Sequence, residues 1–199
     1  MMFNYWIFYF VLFSSVLPLI VLVKINGVVA LKSIVGQFIA FRFLTDFLCF
    51  CFETYLNNSN PLFHVSLPLN FLLIFRVFSR DVSLKKIQKP VYLIVFITAI
   101  IDIANNTIFG STTYNNSVTY FLISIIGSYV IYHVEMNSSI KYVIFPITFY
   151  YSVLFFYSLF EEQIHRSNEL FDSFFLIHAS ITLLLNLTFT SGLWLKKVK

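Results

Sequence analysis

Charge is what this chain has least of. Only 11% of its 199 residues are charged, against about 25% in a typical soluble domain. Hydrophobic residues make up 59%, and phenylalanine alone occurs 26 times. A soluble core of this size cannot hide so much apolar surface, whereas lipid can face it, so a water-soluble globular domain is excluded. The polar stretches are too short for an appended soluble domain. The net charge of +4 is modest, and the Lys and Arg residues are dispersed among loops, which argues against a nucleic-acid partner. Two cysteines occur, Cys49 and Cys51. Two apart on a helix, they point away from each other, so neither a disulfide between them nor a cysteine metal site is expected. The signatures HExxH, GxGxxG and the P-loop are missing, and no metal or cofactor is implied. Paired Gly/Pro interruptions of the kind seen in broken-helix carriers are missing too.

What is present is a series of apolar runs, each about long enough to cross a bilayer. Helices are expected at 3–23, 33–55, 61–78, 90–109, 115–134, 142–160 and 170–195. The expected fold is all-α: a single domain, residues 1–199, forming a seven-transmembrane-helix bundle. The first run has neither a basic start nor a small-residue cleavage site, so it reads as a retained span rather than a signal peptide. Of the 13 basic residues, Lys24, Lys32, Arg42, Arg76, Arg80, Lys85, Lys86, Lys89, Lys141, Lys196, Lys197 and Lys199 fall toward one side, and only Arg166 toward the other. The positive-inside rule makes the first side cytoplasmic. The N-terminus is then outside, the C-terminus is cytoplasmic, and a multi-pass protein of the cytoplasmic (inner) membrane is expected.

The informative residues are the polar ones inside these runs, since ionisable groups in hydrocarbon cost about 2.5–3.5 kcal/mol each even on the gentler insertion scale. Arg42, Asp46, Cys49 and Glu53 fall within a stripe roughly 60° wide on helix 2. Arg42 and Asp46, one turn apart, read as a structural ion pair. Asp102 and Asn106 share a face of helix 4, and Asp102 has no basic neighbour one turn away. His178 lies on a broad polar face of helix 7 with Thr182 and Asn186, and His64 sits about one turn below the outer surface. Most of these groups lie in the outer half. If they converge, Glu53, His64, Asp102, Asn106 and His178 line a ligand pocket open to the extracytoplasmic side above an apolar inner half. That asymmetry favours a receptor over a continuous channel.

Two short motifs resemble those of a known family. The run EEQIHR, Glu161 to Arg166, resembles the EExxxR pattern of the CAAX-protease-like intramembrane metalloproteases, and FFLIH, Phe174 to His178, resembles their FxxxH motif. The resemblance implies an intramembrane hydrolase built on Glu161, Glu162 and His178. The family separates these motifs by more chain, however, and its third motif needs a second histidine, which is missing after His178. A retinal protein would need a lysine in helix 7, and 170–195 has none. The order Asp46, an Asn-rich turn ending at Asn60, His64 and then NFLLIF before a basic loop resembles a group of small bacterial seven-helix inner-membrane proteins. Members carry an acidic residue near the position of Asn70, where this chain departs. The resemblance implies a sensory or accessory role. The leading expectation is therefore a non-enzymatic sensor- or receptor-like module with a small or lipidic ligand and a protein partner at the basic cytoplasmic face. The alternatives are an accessory or scaffold subunit of a membrane complex, and the hydrolase.

Overall fold

The computed structural model describes residues 2–56, 58–80, 82–106, 113–134, 141–160 and 168–195, with side chains left out at 2–8, 106, 113–114, 141, 168–172, 174–175 and 195. The described residues form seven α-helices, one short 3-10 turn and no strand. The helices are α1 Met2–Asn26, α2 Ile34–Leu56, α3 Asn60–Phe78, α4 Lys85–Asn106, α5 Thr113–His133, α6 Lys141–Leu159 and α7 Asn168–Leu195; the 3-10 turn, Val28–Lys32, links α1 to α2. Gly27, at φ 72°, makes the reversal between α1 and that turn, a left-handed conformation in which a side chain is strained.

Six of these helices are long and apolar enough to cross a bilayer. This is compatible with a multi-pass membrane protein. The outer surface fits the same reading. On α4, Leu93, Ile94, Phe96, Ile97, Ile100 and Ile101 are all exposed, as are Phe145, Phe149 and Phe156 on α6. Contiguous apolar surface of this extent is an association hazard in water and the ordinary outside of a protein in lipid. The seventh helix, α5, is long enough at roughly 31 Å but more polar, with Asn115, Asn116, Ser117, Thr119, Ser124 and Ser128 along it. It packs against α3, α4 and α6, which bury Asn115 and Thr119, while Ser128 is exposed.

The helix α4 begins at Lys85, earlier than the expected start at Pro90. Leu84, only 4% exposed, anchors the chain in the core, and its carbonyl accepts from the amides of Ile87 and Gln88. That first turn forms upstream of the proline, whose missing N–H removes one later bond.

The packing order sets the architecture. The helix α1 packs on α2 and α7, α2 on α3, α3 on α5, α5 on α6, and α6 on α7. Six helices thus close a ring, and α4 stands outside it against α3 and α5. First and last helices meet through a buried hydrogen bond, Asn186 Nδ2 donating to Ser14 Oγ at 2.9 Å. The hydrophobic core fills the half of the ring nearest the 3-10 turn. Its members include Val35, Phe38 and Ile39 of α2, Phe71, Ile74, Phe75 and Phe78 of α3, Ile123 and Ile126 of α5, Val143, Ile144 and Ile147 of α6, and Leu185 and Phe189 of α7. Phe38 and Phe189 meet edge to face across it, ring centroids 5.9 Å apart, in the arrangement that aromatic quadrupoles favour.

Candidate functional site

The other half of the ring is not filled. A cavity of about 490 Å³ lies there, walled by residues of α1, α2, α3, α5, α6 and α7 and reaching Ser59 and Asn60 at the turn between α2 and α3. All six ring helices line it, and no described side chain of α4 does. The packed phenylalanines and branched aliphatics of the core form its floor.

The α2 wall carries the charge. Arg42, Thr45, Asp46 and Cys49 all face the cavity, as residues spaced three and four apart on one helix must. Arg42 is 7% exposed. Its guanidinium lies 4.8 Å from the centroid of the Tyr150 ring, a cation–π contact that is stronger out of water. Asp46 is within electrostatic reach of Arg42 and beside Ser15 of α1. Neither charge is fully satisfied: Arg42 Nε and Asp46 Oδ2 are buried and have no hydrogen-bond partner among the described residues.

Facing α2 stand the tyrosines of α6 and the polar face of α7. The Tyr150 hydroxyl shares a hydrogen bond with His178 Nε2 at 3.2 Å and accepts one from Thr182 at 3.4 Å. Tyr151 accepts from Asn70 Nδ2 of α3 at 2.8 Å. Tyr120 of α5 packs on Tyr151, and Tyr157 lines the wall nearer the turn end. Two further acceptors on this wall, Asn70 Oδ1 and Asn116 Oδ1, are buried without a partner among the described residues. Buried polar atoms are almost always hydrogen-bonded. Four orphaned atoms on the wall of one cavity mark a place where another molecule, water or ligand, completes the bonding.

The residues singled out from sequence fall in different places. His178 lines the cavity, and so do Arg42 and Asp46. Glu53 is exposed near the end of α2 and is not on the wall. His64 is buried in α3 at 2% exposure, also off the wall. Asp102 is wholly buried and sits on α4, outside the ring. Its Oδ2 accepts from the backbone amide of Asn115 at 2.7 Å. That amide belongs to the first turn of α5, where N–H groups lack intrahelical acceptors and the helix dipole favours an anion. Asp102 therefore caps a neighbouring helix. The Asn106 side chain, Glu161 and Glu162 lie outside the described residues. Among the described residues no group of three or more His, Cys, Asp and Glu side chains is placed to hold a metal ion.

The main contributors that sequence reasoning passed over are Tyr120, Tyr150, Tyr151 and Tyr157. Tyrosines in a membrane protein usually mark the two interfaces. Tyr150 and Tyr151 instead sit at the middle of α6, where a phenol hydroxyl needs a protein partner. That mid-span position was the available signal. No protein-family model, no curated protein and no solved structure matches this chain, so the reading of the cavity rests on its own chemistry.

Proposed function

We propose that this chain is a sensor- or receptor-like protein of a bacterial cytoplasmic membrane that binds a small polar or lipidic ligand inside the six-helix ring. The observation that carries the reading is the cavity wall itself, where buried atoms of Arg42, Asp46, Asn70 and Asn116 lack partners among the described residues around a space of about 490 Å³. Drug-sized ligands occupy pockets of roughly 300–1,000 Å³. Ionisable groups within a span are costly and usually serve a site or pathway. The apolar core beneath the cavity favours binding over conduction. Native mass spectrometry of protein gently extracted from its own host tests this. A retained non-protein mass is expected, lost in Arg42→Gln and kept in Asp102→Asn, which alters a helix cap and leaves the cavity intact. A bare protein in every preparation overturns the reading.

In the same proposal α5 is the seventh span, and the α2–α3 turn faces the extracytoplasmic side, since the basic residues gather at the opposite ends. The cavity then opens outward. In a background lacking Cys49 and Cys51, a thiol introduced at Tyr55, 81% exposed near that turn, is expected to react with an impermeant reagent on intact cells. One introduced at Ser83, at the other end, reacts only after permeabilisation. The reverse pattern turns the protein over.

A further inference from the structure

Among the described residues lining the cavity, Arg42 is the only lysine or arginine and Asp46 the only carboxylate. They are four residues apart on one helix, which sets their Cβ atoms about 5–6 Å apart. The described wall therefore presents one cation and one anion side by side. Each retains an unused bonding direction among the described residues: Arg42 Nε is a donor without an acceptor, and Asp46 Oδ2 an acceptor without a donor. The guanidinium is meanwhile held over the Tyr150 ring, and Tyr150 is itself tied to α7 through His178 and Thr182. Arg42 is thus positioned by α6 and α7 as well as by its own helix.

This arrangement discriminates by charge. A ligand bearing one negative group satisfies Arg42 but brings a second anion beside Asp46. A ligand bearing one positive group does the reverse. In either case an unbalanced charge is left among buried side chains, where uncompensated charge is disfavoured. A molecule carrying both charges close together satisfies both orphaned atoms and adds no net charge. We propose that the cavity binds a zwitterion whose oxyanion accepts from Arg42 and whose ammonium group donates to Asp46. This rests on the reading of the cavity as a ligand site and adds the chemical class. The apolar part of the wall, Val11, Leu12, Phe50, Phe63 and Leu154, takes the carbon skeleton. Free amino-oxyacids and the headgroup of an ethanolamine phospholipid share this chemistry.

The test uses the full chain in detergent and three soluble probes: glycerophosphoethanolamine, ethanolamine and dimethyl phosphate. The two phosphodiesters carry one negative charge each, where a phosphomonoester would carry nearly two. Wild type is expected to bind glycerophosphoethanolamine about tenfold or more tighter than either single-charge probe, a difference readily resolved by calorimetry. In Arg42→Gln the preference shifts to ethanolamine, and in Asp46→Asn to dimethyl phosphate. The wild-type comparison needs no variant, so misfolding of either one leaves the test decisive. Dihexanoyl phosphatidylethanolamine binding about tenfold tighter still than glycerophosphoethanolamine identifies a lipid headgroup as the source. Equal or weaker binding identifies a free zwitterion. If native mass spectrometry finds a retained ligand but glycerophosphoethanolamine binds no better than ethanolamine or dimethyl phosphate, the zwitterion inference fails and the ligand site stands. If no retained ligand is found and no probe binds, both fall together.

Discussion

At the scale of the residue, the same side-chain chemistry does two different jobs in this protein, and position decides which. Asp46 faces a cavity; Asp102 ends the first turn of the next helix. Asp102→Ala is expected to destabilise the protein by about 1–3 kcal/mol, the usual penalty for stranding a buried hydrogen-bonding group, while leaving ligand retention unchanged. Unfolding in detergent checks the first statement and native mass spectrometry the second. Tyr151→Phe removes the acceptor for Asn70 Nδ2 and is expected to cost about 0.6 kcal/mol, the average for a hydrogen bond between membrane helices, measured the same way. The stripe of Arg42, Asp46 and Cys49 was legible in the sequence because helical spacing alone places those residues on one face. The role of Asp102 was not, because capping depends on where the following helix begins, and an isolated carboxylate in an apolar run reads equally well as a pocket residue. A carboxylate near the end of one helix, just before the start of an antiparallel neighbour, is the pattern that would have suggested it.

Elements pack closely here where side chains are small. A Cβ added at Gly127 of α5 would collide with Thr148 Oγ1 of α6 and lie 3.0 Å from Phe78 Cζ of α3. The helices α5 and α6 therefore approach at a point where only glycine fits, a common device between membrane helices. Gly127→Ala is expected to lower stability by about 1–3 kcal/mol through overpacking, and Thr148→Ala in the same chain to recover part of that loss, as a double-mutant cycle on unfolding would show. Seven helical segments were legible from apolar run length. That α5 carries the polar residues of an internal helix was not, because its Asn and Ser content lowers its apolarity without revealing which neighbours enclose it.

At the scale of the whole molecule, the sequence implied a polar half above an apolar one. It did not show that α4 stands outside a ring of six. In lipid a helix can be apolar on every side, so hydrophobic periodicity carries little information about which helix is peripheral. The ring also makes a prediction about access. Cys49 lines the cavity, while Cys51 does not, although both are half-buried. Saturating glycerophosphoethanolamine is therefore expected to slow modification of Cys49 by a small thiol reagent several-fold and to leave Cys51 unchanged. Mass spectrometry of single-cysteine variants reads both rates, and equal slowing would argue against a ligand seated in the cavity.

The contact between Ser14 and Asn186 joins positions 172 residues apart. During synthesis α1 is made long before its partner α7, and until α7 arrives Arg42 and Asp46 lack the wall that closes around them. Chains cut short before α7 would therefore present both charges unshielded to cellular quality control, however complete their earlier helices. The helix α7 is the one that turns an open sheet of helices into a vessel.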